Sequence, residues 1–390
     1  MKTLKSMRLH IGIFGKTNVG KSSLLNRITG QDVAIVSDIA GTTTDVVEKS
    51  MELLPIGPVT FLDTAGIDDT SALGVERIEK TMKILNRTDV AVVVCDYNGV
   101  DEYEKSLIEK FNELQIPFVV VVNKTDVEPL CVDLPYENVL QTSVKTDSEL
   151  VDKFKQVLVK LLPDEFVNSP KIVGDLVDEK SVVILVTPID KEAPKGRLIL
   201  PQVQTIRDLL DSNCISMVVK ESELQDAFDS LKTPPALVVT DSQAFRKVAE
   251  IVPENVPLTS FSILFARLKG DLEAFVSGAD AIENLKDGDK VLILESCTHH
   301  AIDDDIGRVK IPNLLRKRTG KDLIIENISG HDFPDISQYA LVIHCGACMT
   351  NRREILSRIL IAKQKGVPIT NYGIAISYCL GILPRAIKMF

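Results

Sequence analysis

Short apolar runs alternate with amphipathic stretches along the first part of the chain. Runs of four to eight apolar residues are typical of buried strands, and apolar positions three and four apart are typical of helices. Strands that alternate with helices predict a doubly wound α/β sheet. The predicted strands are Leu9–Phe14, Val59–Asp63, Val90–Cys95 and Pro117–Asn123, and the predicted helices are Lys21–Thr29, Leu73–Asn86 and Tyr103–Leu114.

This alternation is interrupted at Leu162–Lys171, where two prolines and several polar residues predict a linker. Later apolar runs predict two further α/β domains with parallel sheets. We therefore expect three domains, at residues 1–165, 172–268 and 270–390. The strands expected in the second are Ser181–Val186, Ser216–Val219, Ala236–Thr240 and one at Leu258, and those in the third are Lys290–Leu294, Asp322–Glu326, Ala340–His344 and Pro368–Thr370.

Composition narrows the classes of partner. The 390 residues are 45% hydrophobic, enough for a buried core in each domain, and carry a net charge of −10. That acidic balance argues against nucleic acid or an anionic membrane as a partner. No apolar run is long enough to span a bilayer, and Met1–His10 is not followed by a signal-peptide pattern. The expected compartment is the cytoplasm.

A phosphate-binding loop lies between the first predicted strand and the first predicted helix. The segment Gly15–Ser22, GKTNVGKS, has the P-loop pattern in its expected context. Glycines let backbone N–H groups surround a phosphate, and the helix N-terminus adds partial positive charge. Lys21 is predicted to neutralise the β- and γ-phosphates, and Ser22 to bind Mg²⁺.

Three later segments predict guanine as the base. Asp63–Gly66, DTAG, follows a strand, so Asp63 would reach Mg²⁺ and Gly66 would donate to the γ-phosphate. Asn123–Asp126, NKTD, follows another strand, and the Asp126 carboxylate can accept both guanine N–H groups. Thr142–Lys145, TSVK, fits the last guanine-contact loop. The predicted nucleotide-binding residues are Asn18, Val19, Gly20, Lys21, Ser22, Ser23, Asp63, Asn123, Lys124, Asp126, Ser143 and Val144.

The segment Gly41–Asp45, GTTTD, resembles switch I of the TrmE and Era type of bacterial GTPases. Thr43 is its strongest candidate for a Mg²⁺ contact, so Lys21, Thr43 and Gly66 form the predicted catalytic set. Ile67 stands where Ras-like enzymes carry a water-orienting glutamine. Asn18 stands where TrmE-like enzymes help to bind K⁺, which can stabilise charge on the phosphates. We therefore expect slow hydrolysis stimulated by K⁺.

Cysteine and histidine concentrate in two segments near the end of the chain. Glu295–His300, ESCTHH, follows one predicted strand, and His344–Cys348, HCGAC, follows another. Both would lie at the carboxyl edge of one parallel sheet, where such sheets build sites. The candidate metal ligands are Cys297, Cys345 and Cys348, with His299 and His344 as further ligands or as groups that support them.

Spacing alone does not select the chemistry of this cluster. A Cys-x-x-Cys segment can be a redox dithiol, part of a zinc site or part of an iron–sulfur site. A dithiol leaves Cys297 without a role. A Cys₃His zinc site and an iron–sulfur cluster with three thiolates fit equally well, and buried structural cysteines remain the plain alternative. Cys95 and Cys214 are expected in the core.

The spacing Cys297-x-His299, then 44 residues, then His344-Cys345-x-x-Cys348 resembles the signature of HydF, the GTPase family of [FeFe]-hydrogenase maturation. Val186–Asp190, VTPID, and Ala193–Gln202, APKGRLILPQ, also resemble that family. The resemblance extends over all three domains.

The resemblance implies a middle domain that forms a homodimer and a last domain that holds a [4Fe–4S] cluster on Cys297, Cys345 and Cys348. It implies an open or exchangeable fourth iron position. It also implies a scaffold that receives the di-iron subcluster from radical-SAM maturases and transfers it to apo-[FeFe]-hydrogenase. The competing hypothesis is an Era-type GTPase that associates with RNA or the ribosome through a zinc-stabilised domain.

Overall fold

The computed structural model describes residues 8–30, 47–64, 81–128, 134–162, 170–189, 198–242, 244–295, 306–330, 333–346 and 350–390. The chain divides into two compact units, Met1–Ser169 and Pro170–Phe390.

The first unit is built on a six-stranded sheet with the order β2-β3-β1-β4-β5-β6. Every strand pair is parallel except β2 with β3. The strands are β1 Leu9–Phe14, β2 Val47–Leu53, β3 Gly57–Asp63, β4 Val90–Cys95, β5 Phe118–Val122 and β6 Val139–Gln141, and the helices are α1 Lys21–Thr29, α2 Glu102–Glu113 and α3 Leu150–Leu161.

The central strands are those whose sequences are apolar throughout. In β4, VAVVVC, all six residues are buried, as expected for a parallel strand covered on both faces by helices. The edge strand β2, VEKSMEL, is mostly polar and was not predicted, because its charged side chains conceal the strand pattern. The three-residue β6 was also missed, since it is too short to show a periodicity.

The second unit contains two four-stranded parallel sheets, ordered β10-β9-β7-β8 and β12-β11-β13-β14. The first has β7 Val182–Val186, β8 Ile215–Val219, β9 Leu237–Thr240 and β10 Leu258–Ser260, with α4 Leu200–Asp211, α5 Leu224–Ser230, α6 Phe245–Ile251 and α7 Phe261–Lys269. The second has β11 Lys290–Glu295, β12 Ile324–Ser329, β13 Leu341–His344 and β14 Ile369–Asn371, with α8 Leu272–Asp280, α9 Ile311–Thr319, α10 Arg352–Lys365, α11 Tyr372–Cys379 and α12 Leu383–Ala386.

The two sheets of the second unit share one hydrophobic core. Buried side chains from Ile184 and Val238 in the first sheet belong to the same cluster as Leu292 and Ile343 in the second. Helix α8 follows α7 and packs closely on β14, because a Cβ added at Gly278 would collide with the backbone of Ile369. The second unit therefore folds around continuous apolar contacts, whereas the division into three domains stays a prediction.

The predicted fold class is confirmed: a P-loop α/β domain is followed by two further α/β sheets that are wholly parallel. Only the end of the predicted helix Leu73–Asn86 is described, and residues 81–85 there are helical. Strand β12 starts two residues later than predicted and ends at Ser329. Within the described parts of the chain, no helix is both long and apolar enough to cross a membrane.

Candidate functional site

The loop between β1 and α1 has the backbone that a phosphate cradle requires. Gly15 and Gly20 have φ angles of 136° and 103°, in the region that favours glycine. A Cβ at Gly15 would collide with the Val94 carbonyl in β4. Asn18, the exposed residue predicted to contact K⁺, is left-handed with φ 64°. The loop is therefore held in its shape by residues that tolerate positive φ.

Helix α1 begins at Lys21 with Gly20 as its N-cap and without a side-chain cap. Such a terminus presents backbone N–H groups and partial positive charge to an anion. The Lys21 ammonium is buried and donates to the carbonyls of Gly15 and Lys16 at 2.5 and 2.6 Å, so it lies across the loop. Ser22 is partly exposed and Ser23 is exposed on the next positions of α1. This arrangement fits a nucleotide phosphate.

Asn123 connects the P-loop with the predicted guanine loops. Its Nδ2 donates to the Val19 carbonyl at 2.8 Å, and its Oδ1 accepts from the Val144 N–H at 3.0 Å. A Cβ at Gly20 would collide with the same amide. The buried Ser143 lies beside Val144. One buried side chain thus fixes three segments that are far apart in sequence.

The residues that follow Asn123 turn outward. Lys124 is partly buried and left-handed, with φ 63°, and Asp126 is exposed within the turn that Val127 closes onto the Lys124 carbonyl. The Thr125 N–H donates to the Thr142 carbonyl at 3.3 Å, which holds this turn against the last guanine loop. An exposed carboxylate on a braced turn can accept hydrogen bonds from a base.

The end of β3 carries the predicted magnesium carboxylate. Asp63 is buried, and the neighbouring Thr64 donates through Oγ1 to the Ile13 carbonyl at 2.7 Å. Asp63 thus ends its strand beside β1, the strand that leads into the P-loop. The other predicted switch residues, Thr43 and Gly66, lie outside the described residues.

A second anchor of the P-loop was not predicted from the sequence. The Lys16 side chain pairs with Asp101, and the Lys16 N–H donates to Glu104 Oε1 at 3.4 Å. Asp101 and Glu104 form the capping box of α2. Burial raises the pKa of Glu104. The capping pattern is visible in the sequence, but its contact with the P-loop depends on the tertiary fold.

In the second unit, the two cysteine-bearing segments start from neighbouring strand ends. The last residue of β11 is Glu295, and Cys345 follows β13 directly. The Cys345 N–H donates to the Leu294 carbonyl at 2.8 Å, which extends the pairing of the two strands by one residue. Strand order reverses between β11 and β13, so this is the switch point where open α/β sheets bind ligands.

Polar groups surround the buried Glu295 at this edge. Ser329 donates to its Oε2 at 3.1 Å and Tyr372 donates to its Oε1 at 3.3 Å. The Arg308 guanidinium lies 3.8 Å from Oε2. A Cβ at Gly307 would collide with Tyr372 and Glu295, so the chain passes the carboxylate closely there. Glu295 is therefore held inside the fold by residues from three other segments.

His344 is buried and contacts Arg358 on α10, which is paired with Glu354 on the same helix. Its Nδ1 lies 2.8 Å from the Cys345 carbonyl, and its Nε2 lies 2.5 Å from Arg358 Nη1. Arg358 also donates to Glu354 Oε1 at 2.7 Å. This pair was not predicted, because a Glu and an Arg four residues apart usually form an exposed pair on a helix surface.

The other predicted metal ligands are three cysteines and His299. Cys297, His299 and Cys348 lie outside the described residues, and Cys345 is partly exposed. The described residues contain no group of three or more His, Cys, Asp or Glu that could hold a metal ion. Cys95 and Cys214 are buried, as predicted for core residues. The ligand set therefore stays a prediction.

Two protein-family models match the second unit of the chain. A family model described as the hydrogen maturase F dimerization domain matches residues 172–270, and the hydrogen maturase F tetramerization domain matches residues 273–389. Together these ranges cover more than half of the chain. The chain belongs to the HydF family. Its resemblance to HydF, inferred from the cysteine signature, is thereby confirmed, and residues 172–389 carry the oligomerisation domains of that family.

A third family model, described as a 50S ribosome-binding GTPase, matches residues 10–124, so this HydF chain has an N-terminal GTPase domain. The tRNA modification GTPase MnmE of Prochlorococcus marinus is 39% identical over 145 residues, 37% of this chain and 30% of MnmE. GTPase Der of Wolinella succinogenes is 41% identical over 126 residues, 30% of this chain and 26% of Der. The chain thus spans about a third or less of these relatives.

Among solved structures, an Era variant from Aquifex aeolicus bound to GDP and AlF₄⁻ is 21% identical, with a TM-score of 0.35. The alignment covers 63% of this chain and 98% of that structure.

The bracing by Asn123 can be tested by removing its side-chain amide. We expect Asn123→Ala to destabilise the P-loop locally by about 1–3 kcal/mol, because the buried Val19 carbonyl and the partly buried Val144 N–H each lose a partner. Hydrogen–deuterium exchange should show faster exchange in peptides that span β1 and α1. The exposed Asn98 in the same unit is the control, and Asn98→Ala should leave those peptides protected. Equal exchange in both variants would contradict the bracing role.

Proposed function

We propose that the chain is a GTP-hydrolysing scaffold of [FeFe]-hydrogenase maturation. In this proposal the last domain holds a [4Fe–4S] cluster, and the protein delivers the di-iron subcluster to apo-hydrogenase. The observation that carries the proposal is the hydrogen bond from Cys345 to Leu294. It sets the starts of both cysteine segments side by side at a sheet switch point, in a family named for hydrogenase maturation.

In the first unit, the phosphates of GTP would lie at the N-terminus of α1. Lys21 would move from the loop carbonyls to the β- and γ-phosphates, since a phosphate is the stronger partner for an ammonium. Ser22 and Asp63 would hold Mg²⁺, and Thr43 and Gly66 would complete the site from the switch segments. Water would attack the γ-phosphate in line, and Mg²⁺ and N–H groups would stabilise the developing charge.

Guanine would be selected by Asp126. The guanine base has two adjacent N–H donors, and one carboxylate can accept from both. An asparagine at this position keeps one acceptor and offers one donor, which matches the carbonyl that xanthine has in place of the guanine amino group.

We expect Asp126→Asn to weaken GDP binding by about 10- to 100-fold and to strengthen binding of xanthosine diphosphate. Guanine loses the two hydrogen bonds that its N–H groups donate to the carboxylate, whereas the xanthine carbonyl gains a donor from the asparagine amide. Competition binding with both nucleotides measures the preference. Glu128→Gln is the matched control, since Glu128 is also exposed and acidic and lies two residues away. If Asp126→Asn keeps the original preference for GDP, Asp126 does not select the base.

Asn18 would contribute to a K⁺ site beside the phosphates. Its exposed position and left-handed backbone support this role, because the side chain starts from the outer turn of the P-loop. K⁺ would add positive charge where Ras-like enzymes rely on other groups, and Ile67 cannot orient water through a hydrogen bond.

With this cation site, hydrolysis should be at least about tenfold faster in K⁺ than in Na⁺, a smaller effect than that of an arginine finger. Asn18→Ala should reduce the difference between the two salts, whereas the neighbouring Thr17→Ala should preserve it. Steady-state phosphate release in matched chloride buffers provides the measurement. Equal rates in both salts for the unaltered protein would exclude the cation role.

In the second unit, the donor set fits an iron–sulfur cluster. Thiolates are the preferred ligands of iron–sulfur clusters, and Cys345 is a partly exposed thiol at the switch point. Cys297 is two residues beyond the end of β11, and Cys348 is three residues beyond Cys345, so both are close in sequence to this edge. When bound, the cluster would offer an open iron for a bridging ligand. His299 is left as a supporting group.

Loss of one thiolate should release the cluster. Protein purified without oxygen should contain about four irons per chain, the content of a [4Fe–4S] cluster, and Cys345→Ser should lose most of them. Iron, sulfide and zinc analysis with EPR of the reduced protein measures this. Cys379→Ser is the control, because burial raises the pKa of the Cys379 thiol to about 12, which disfavours a thiolate ligand. Zinc in place of iron would favour the competing hypothesis of an Era-type GTPase.

Oligomerisation would use the middle domain to form a homodimer. Strand β8 is an edge of its sheet, and its Ile215 and Val218 are 54% and 42% exposed. An apolar strand edge of this kind is usually paired or covered. Radical-SAM maturases and apo-hydrogenase are the proposed protein partners, and the cytoplasm is the proposed compartment.

A further inference from the structure

Helix α10 contains a buried ion pair that has no part in binding as described so far. The side chains of Arg358 and Glu354 are 1% and 2% exposed, and their atoms Nη2 and Oε1 are 2.7 Å apart. Burying two charges costs several kcal/mol per ion unless the pair and its remaining hydrogen bonds compensate. Apolar residues of similar volume would stabilise the core at least as well as this ion pair. Stability alone therefore does not explain why two charged residues lie here, and their contacts suggest a specific role.

The remaining donors of Arg358 reach the carboxyl edge of the sheet that contains β11 to β14. Its Nη1 lies 2.5 Å from Nε2 of His344, the last residue of β13, and its Nη2 donates at 3.3 Å to the carbonyl of Gly330, which follows β12. The Gly330 N–H in turn donates to the Glu295 carbonyl at the end of β11 at 2.7 Å. The guanidinium also lies 5.7 Å from the centre of the Phe333 ring. One side chain thus connects the ends of three neighbouring strands.

The hydrogen-bond geometry selects one tautomer of His344. A guanidinium only donates hydrogen bonds, so Nε2 of His344 accepts and carries no proton. The proton is then on Nδ1, which donates to the Cys345 carbonyl at 2.8 Å. Both ring nitrogens are therefore engaged within the protein. A metal-bound histidine needs one ring nitrogen for the metal.

We propose that Arg358 is a positioning residue for the iron–sulfur loop: it occupies Nε2 of His344, keeps that histidine from binding iron, and fixes the direction in which Cys345 leaves β13. This inference rests on the proposed cluster function. It adds that the contacts of His344 and of the Cys345 backbone are in place before metal arrives. It also assigns the exclusion of His344 to a buried charge pair, in which Glu354 balances Arg358.

The arrangement of the metal-free protein can be measured directly. The chain has five histidines, so selective ¹⁵N-histidine labelling gives a simple ring-nitrogen NMR spectrum. His344, identified by its loss in His344→Asn, should show its proton on Nδ1. Arg358→Met should abolish this signature, and Arg358→Lys should restore it in part. Lys363→Met, an exposed change on the same helix, should leave it unchanged.

Arg358→Met leaves Glu354 buried without its partner and can unfold the protein. The double variant Glu354→Met/Arg358→Met removes both charges and tests the same contact. A His344 spectrum that is unchanged in this folded double variant would overturn the proposal, whether or not the protein binds iron.

The reconstituted protein supplies the second measurement. We expect no ¹⁵N hyperfine coupling from histidine 344 to the cluster in the unaltered protein. We expect such coupling in the double variant, with iron release to a chelator faster by about 10- to 100-fold. Coupling already present in the unaltered protein would overturn the inference. Failure of the unaltered protein to bind iron would instead contradict the proposed function, and the NMR result would still decide the role of Arg358.

Discussion

Parallel strands end at the same edge of their sheet, and the loops at that edge separate where the strand order reverses. In the first unit, β1 lies between β3 and β4, and the P-loop leaves from its carboxyl end. In the sheet of β11 to β14, β11 lies between β12 and β13, and both cysteine segments begin at that switch point. Each sheet thus creates an open position before any particular side chain is considered, and the chemistry depends on which residues the sequence supplies there.

The two positions are stabilised in opposite ways. At the P-loop, phosphate binding relies on backbone N–H groups, so the sequence must supply glycines with positive φ and a side chain, Asn123, that fixes the backbone from behind. At the cysteine edge, the proposed iron–sulfur cluster would bind to thiolate side chains rather than to backbone N–H groups. The described backbone at this edge is held by hydrogen bonds to strand-end carbonyls, since the Cys345 N–H donates to Leu294 and the buried Arg358 donates to Gly330 while it also engages His344.

This difference explains which parts could be predicted from sequence. The apolar runs of β1 and β4 identified the central strands, since a strand buried on both faces has few alternatives. The P-loop was visible because its glycines and lysine have no equivalent in an ordinary turn. The strand β2 was not visible, because an antiparallel edge strand tolerates Glu48 and Lys49. Its pairing with β3 is decided by tertiary contacts rather than by local pattern.

The residues that support a site are harder to predict than the residues that touch the ligand. Cysteine is rare and its spacing is informative, so Cys345 stood out at once. Glu354 and Arg358 are common residues at a common helical spacing, and sequence alone places such a pair on a solvated surface. Only the fold shows that α10 turns this face toward the strand ends. There the same spacing forms a buried ion pair, and its Arg358 contacts His344. A candidate ligand residue can be recognised from local sequence spacing, whereas the residues that orient it are identified only by the folded structure.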